Sequence, residues 1–261
     1  MIGLVAQALA DDPSLSWEHI YDARLVEAAD GTPEVAARFY EEILSDLGAD
    51  DPLRPSVAYS LGRARLAAGN TDGAIAALRL AIEGKDVRPQ AGALLALIEQ
   101  ERRQVTALPY DNDFATDVGA FVRGWQGFDD GELAIGPVGG NPAMAWPTVV
   151  RAGGSDEIAI GLGPGVDLRD VHLRLRAGEF PAVVRLGCTD GAGGRFAAGT
   201  VVVPTDAWVD VHVPVATFRS LRSTVGEAPR RVRTLILEDL TGSVSSDRGA
   251  NVVWVDDVEL R

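Results

Sequence analysis

The 261-residue chain carries 24 basic and 38 acidic residues, which give it a formal net charge of −14. Such a charge repels a phosphate backbone, so DNA and RNA are excluded as expected partners. Cys188 is the only cysteine, which rules out a disulfide within the chain. No apolar run reaches the roughly 18 to 20 residues of a membrane-spanning helix.

The first ten residues are apolar and end in Ala8-Leu9-Ala10, which is similar to the cleavage site of a signal peptide. They lack the basic n-region of a signal peptide, and their apolar core is too short. We therefore expect no intact signal peptide at this end of the chain.

Residues 1–104 have the spacing of amphipathic helices, because apolar residues recur three and four positions apart and alanine is common. The clearest stretch runs from Pro55 to Asp86. Within it, small residues predict two closely packed helices, Gly69-Asn70 predicts the turn between them, and Thr71 or Asp72 is the expected cap of the second helix.

The spacing of Leu61-Gly62, Gly69, Ala74, Leu78 and Ala81 resembles a tetratricopeptide repeat. A weaker copy lies in residues 17–48, and the tail of another second helix is expected near Ala8-Leu9. Pro89 to Gln104 is expected to form the last helix. The resemblance implies a surface that docks a protein partner, and a helical spacer is the alternative.

The helical spacing of apolar residues ends at residues 105–110, which predicts a linker there. An antiparallel β-sandwich is predicted over residues 111–261. Beyond the linker, β-branched runs alternate with glycine and proline clusters, and no helix of useful length fits between them. The predicted strands are Glu132–Ile135, Ala143–Arg151, Glu157–Leu162, Val171–Arg176, Ala182–Thr189, Arg195–Val203, Trp208–Val213, Val232–Glu238 and Val252–Leu260.

The last strand contains a carboxylate in an apolar row. Strict alternation places Val252, Trp254, Asp256, Val258 and Leu260 on one face, directed at the core. An ionised carboxylate there needs a cation, a metal or hydrogen bonds to offset its burial, so Asp256 must have a partner.

Four segments in order resemble the galactose-binding-like jelly roll of many carbohydrate-binding modules. They are Asp113-Phe114 with Trp125, Trp208 to Pro214 leading to Phe218, Leu235 to Asp239, and Val255-Asp256-Asp257-Val258. The resemblance implies export from the cell, core positions for Trp125, Trp208 and Trp254, and a structural calcium. Asp256 is then a calcium ligand with Asp111 or Asp113, and backbone N–H groups are the alternative partners of Asp256.

Two features could bind a ligand. Trp146, flanked by prolines, is the one tryptophan expected to be free, with packing in the core as its alternative. Arginines and other polar residues occupy the outward positions of the central strands, where they form a polar face if those strands share a sheet, or else an ordinary solvated surface. These residues are His172, Arg174, Arg176, Arg185, Asp210, His212 and Arg233.

The sequence favours a binding or scaffold protein over an enzyme. It contains no nucleophile elbow, phosphate loop or zinc-protease motif, and the three histidines lack metal-ligand spacing. The main prediction is a scaffold with a helical protein-docking domain and a jelly-roll interaction domain. The alternative is a protein that binds a glycan, including an acidic one, and an unrecognised hydrolase is a remote third option.

Overall fold

The structure is a computed structural model that describes residues 32–124, 130–221 and 228–261. The chain divides into two compact units, one ending at Ile98 and the other spanning Glu99–Arg261. The predicted repeat copy in residues 17–48 lies partly outside the described residues. The expected helix tail near Ala8-Leu9, the possible signal segment and Trp125 lie wholly outside them.

Four helices precede the strands in the described part of the chain: α1 Pro33–Asp46, α2 Arg54–Ala67, α3 Thr71–Ala81 and α4 Arg88–Arg102. None of the helices in this described part is both long and apolar enough to cross a membrane.

The helices α2 and α3 pack through small residues. A Cβ atom added to Gly62 would lie 2.7 Å from Cγ of Leu78, so only glycine permits this approach. Gly69 has a φ of 77° and makes the turn between the two helices. The cap of α3 is Asn70, whose Oδ1 accepts a hydrogen bond from the N–H of Gly73 at 2.9 Å, so the prediction of Thr71 or Asp72 as the cap was wrong.

The second unit is an antiparallel β-sandwich, as predicted. Its strands are β1 Tyr110–Asn112, β2 Phe121–Arg123, β3 Ala134–Val138, β4 Asn141–Val150, β5 Asp156–Val166, β6 Asp170–Ala177, β7 Ala182–Asp190, β8 Arg195–Val203, β9 Val209–Pro214, β10 Arg219–Ser220, β11 Val232–Asp239 and β12 Gly249–Leu260. A short helix, α5 Thr241–Val244, precedes β12. The predicted strands are all present, and the three very short strands β1, β2 and β10 were missed.

The strands form two six-stranded sheets. Sheet A has the order β3-β4-β12-β6-β9, with β1 also paired to β12, and sheet B has the order β10-β8-β7-β11-β5-β2. The last strand of the chain therefore lies in the middle of sheet A, between β4 and β6. Residues 105–110, predicted as a linker, include Val105, which is buried in the core of the sandwich.

The core lies between the inner faces of the two sheets. On β6 the residues Val171, Leu173 and Leu175 are fully buried, and they alternate with partly exposed polar residues. On β7 the inward residues are Val184, Leu186 and Cys188. This alternation is what a sheet with one buried face requires.

A β-bulge in β12 changes the predicted orientation of its side chains. The pairing with β6 shifts between Asp256 and Glu259, and Asp257 has a φ of 47°. Because the bulge adds one residue, Val253 and Val255 point inward before it, and Val258 and Leu260 point inward after it. The prediction that Val252, Trp254 and Asp256 face the core was therefore wrong. These three side chains lie on the outer face of sheet A.

Candidate functional site

The outer face of sheet A brings two tryptophans and a row of polar side chains together. Trp254 on β12 lies opposite Arg176 on β6, and Arg174 on β6 lies opposite Asp210 on β9. Trp208 directly precedes β9. Both tryptophans are partly exposed. The core positions that the family resemblance implied for Trp208 and Trp254 are therefore wrong.

Small residues on the neighbouring strands make room for the Trp254 indole. Its cross-strand neighbours on this face are Ala145 of β4 and, one strand further, Ala134 of β3. The benzo edge of the ring reaches Gly136, where an added Cβ atom would lie 2.9 Å from Cη2. The indole thus extends across two strands toward the sheet edge.

Arg174 lies at the centre of this face. Its Nη1 donates a hydrogen bond to Oδ2 of Asp257 at 2.9 Å and lies 3.8 Å from Oδ2 of Asp256. Its Nε lies 3.7 Å from Oδ1 of Asp210. The guanidinium carbon lies 5.0 Å from the centroid of the Trp208 ring, within the range of a cation–π interaction.

Arg176 holds the segment that carries Trp208. Its Nε donates a hydrogen bond to the carbonyl oxygen of Thr205 at 2.9 Å. Thr205 lies three residues before Trp208, so this bond ties the segment to the middle of the sheet.

Two histidines extend the same face toward the beginning of β6. His172 and His212 are paired across β6 and β9, and their ring centroids are 6.3 Å apart in an edge-to-face arrangement. Nε2 of His212 lies 3.2 Å from Oδ1 of Asp170. The two histidines therefore meet on adjacent strands.

Arg185 and Arg233 do not join this group, because they belong to sheet B. Arg185 on β7 forms an ion pair with Glu238 on β11 at 2.5 Å. Arg233 on β11 is exposed. The predicted polar face therefore consists of two separate surfaces, since β6 and β9 share one sheet whereas β7 and β11 share the other.

Trp146 is fully buried in the core, so the expectation that it faces a ligand was wrong. Its Nε1 donates a hydrogen bond to Oδ2 of Asp156 at 3.0 Å, and Nη2 of Arg123 contacts the same oxygen at 2.6 Å. Arg123 also donates a hydrogen bond to the carbonyl oxygen of Pro147. Burial raises the pKa of Asp156 to about 6, even though the Arg123 charge and the Trp146 hydrogen bond act to lower it. This buried network fixes the Trp146 ring inside the sandwich.

The residues predicted as calcium ligands hold other partners. Asp256 accepts a hydrogen bond from the N–H of Asp257 at 2.9 Å, and Asp111 forms an ion pair with Arg261 at 2.6 Å. Oδ1 of Asp113 accepts a hydrogen bond from the N–H of Ala115.

Burial, followed by the charge of Asp257, raises the pKa of Asp256, and the Asp113 charge contributes in the same direction. Among the described residues, no three acidic, histidine or cysteine side chains form a group that could hold a metal. The calcium site stays a prediction.

No protein-family profile matches the chain, and a search of curated proteins finds no similar sequence. The sandwich is similar in fold to carbohydrate-binding modules. A family 11 module of the cellulase Lic26A-Cel5E from Clostridium thermocellum matches 60% of this chain and 95% of its own, with 12% identity and a TM-score of 0.42. A family 28 module specific for non-crystalline cellulose matches 61% and 96%, with 14% identity and a TM-score of 0.41.

An exo-β-agarase matches 60% of this chain and 24% of its own, with 10% identity and a TM-score of 0.41. These similarities concern the shape of the chain alone.

Trp208 and Trp254 were missed as candidate binding residues because the family resemblance implied core positions for both, and strict alternation also places Trp254 inside. One signal in the sequence does point to the bulge, namely the pair Asp256-Asp257 within an apolar strand. An acidic residue tolerates the left-handed backbone conformation better than the valines around it.

Proposed function

We propose that the outer face of sheet A binds a neutral polysaccharide. The observation that carries this proposal is the presence of two partly exposed tryptophans, Trp208 and Trp254, on either side of arginine-bearing β6. An indole ring offers a flat apolar surface against which the C–H face of a sugar ring packs. The exposed carboxylates of Asp210 and Asp257 on the same face supply hydrogen-bond acceptors for hydroxyl groups.

The charges on this face favour a neutral ligand over the acidic glycan considered from the sequence. Arg174 is surrounded by three carboxylates, and Nε of Arg176 is bonded to a backbone carbonyl oxygen. Two of these carboxylates remain accessible, because the Asp210 side chain is 73% exposed and that of Asp257 is 45% exposed, whereas Asp256 is buried. A polymer with carboxylate or sulfate groups would be repelled by these side chains.

The test is affinity electrophoresis of the full chain in gels that contain mixed-linked β-glucan, amorphous cellulose, agarose or the acidic polymer polygalacturonate. We expect retardation by a neutral polymer and none by polygalacturonate. Trp254→Ala and Trp208→Ala should each weaken binding roughly ten-fold, which corresponds to about 1.4 kcal/mol. Arg233→Ala, on the other sheet, should bind like the parent protein.

Two results would refute the proposal: failure to bind any neutral polymer, or undiminished binding by both tryptophan variants. Preferential binding of polygalacturonate would refute the assignment of a neutral ligand.

The docking of a protein partner by the helical unit stays a prediction from the repeat resemblance. No contact or surface described above favours it over the glycan-binding function.

A further inference from the structure

We propose that Arg174, held by Asp257, is a positioning residue that fixes the Trp208 ring in the orientation needed for stacking against a ligand. This inference rests on the function proposed above and assigns a role to the bulge in β12.

The bulge directs the Asp257 carboxylate toward the outer face. Asp257 is two residues after Val255, which points into the core, so regular alternation would direct Asp257 into the core as well. Instead, its φ of 47° turns the chain, and Oδ2 lies 2.9 Å from Nη1 of Arg174. A residue other than glycine in this conformation is strained, and such strain is concentrated at functional sites.

Arg174 is poorly suited to act directly on a ligand. Three carboxylate oxygens lie between 2.9 and 3.8 Å from its guanidinium nitrogens, so its charge is already compensated. The hydrogen bond from Arg174 to Asp257 raises the pKa of Arg174, so the cation is maintained. The guanidinium carbon lies over the Trp208 ring, 5.0 Å from its centroid.

Trp208 needs such support because it lies in a connecting segment and not within a strand. It follows Asp206 and Ala207, which are both exposed, and comes directly before β9. Its ring is only partly buried. Arg174 therefore contacts the side chain while Arg176 holds the backbone of the same segment. A ring that is already held in its binding orientation before the ligand arrives loses less conformational freedom on binding, which increases affinity.

The first test needs no ligand. The full chain is labelled with fluorotryptophan, and the fluorine NMR signal of Trp208 is assigned by its loss in Trp208→Phe. In Arg174→Met we expect this signal to shift and broaden, with the signal of buried Trp146 unchanged. Arg174→Lys keeps the charge and should restore the signal in part. Asp257→Asn retains a residue that tolerates a positive φ, and it should produce a weaker form of the same change.

The matched control is Arg185→Met. Arg185 has a similarly exposed side chain and an ion pair with Glu238, but it lies on sheet B. It should leave the Trp208 signal unchanged. Circular dichroism of each variant checks that the sandwich is folded, and Asp257→Asn provides a milder perturbation if Arg174→Met does not fold.

The second test measures binding of a neutral polymer that retards the parent protein. Arg174→Met should weaken binding roughly ten-fold, and Arg174→Lys should recover part of the loss. An unchanged Trp208 signal in both Arg174→Met and Asp257→Asn would overturn the positioning role. If the parent protein binds no polymer, the proposed function fails, whereas the NMR result still decides whether Arg174 positions Trp208.

Discussion

The buried pair of Arg123 and Asp156 predicts an unequal response to the removal of either partner. Their side chains are 6% and 8% exposed and lie 2.6 Å apart. Removal of Asp156 by Asp156→Ala leaves a buried guanidinium that has no route to neutrality, since an arginine keeps its proton. We expect this variant to lose about 3 to 5 kcal/mol of unfolding free energy, the usual cost of a buried charge without its partner.

Removal of Arg123 has a milder expected effect. The pKa of Asp156 is already raised to about 6 by burial, and loss of the Arg123 charge would raise it further. Near neutral pH the carboxyl in Arg123→Met therefore takes up a proton at little cost, and it keeps its hydrogen bonds from Trp146 and from the N–H of Glu157. We expect a loss of about 1 to 2 kcal/mol, which is less than for Asp156→Ala.

The assay is urea unfolding followed by near-ultraviolet circular dichroism, which reports on the tryptophans of the sandwich. The double variant Asp156→Leu with Arg123→Met should be more stable than Asp156→Ala alone, because no buried charge remains. Equal losses in the two single variants, or a loss of less than about 1 kcal/mol in Asp156→Ala, would refute this account of the pair.

Three further predictions concern pH, helix packing and metal binding. The folded protein holds the Asp156 proton up to about pH 6, whereas the unfolded chain loses it near the ordinary pKa of 3.8. This group should therefore lower the stability by roughly 3 kcal/mol as the pH rises from about 4 to about 6. The fall should be clearly smaller in Asp156→Asn, where a remainder is expected because burial also raises the pKa values of Glu157 and Asp256; an equal fall in that variant would contradict the assignment. In the helical unit, Gly62→Ala should lower the unfolding free energy by about 1 kcal/mol, because overpacking against Leu78 exceeds the gain in helix propensity, whereas Gly48→Ala, which has open space around it, should change it little. For the predicted calcium, a chelator should lower the melting temperature of the sandwich and Asp256→Asn should remove that effect; no response to chelator would leave the Asp257 N–H and Arg174 as the partners that stabilise Asp256.

Much of the architecture follows from the sequence, because it depends on local pattern. Spacings of three and four residues predicted the helices, and β-branched runs separated by glycine and proline clusters predicted the nine longer strands. Small residues at Gly62, Ala74 and Ala81 predicted the close approach of two helices, and the structure leaves no room for a Cβ atom at Gly62. Strands of two or three residues, such as β10, carry too few side chains for a period to be recognised.

The site depended on tertiary structure for two physical reasons. Strand pairing joins residues distant in sequence, so the sequence could not tell that β6 pairs with β9 and β12 whereas Arg185 lies on the other sheet. The bulge at Asp257 reverses which alternate residues of β12 face the core, so the pattern before it is opposite to the pattern after it. The pairing with the partner strand β6 decides where this bulge lies. The sequence by itself determined that a carboxylate pair interrupts the last strand. Only the folded sheet decided that Trp254 faces outward, that Trp146 faces the core, and that Arg174 is the partner of the acidic residues.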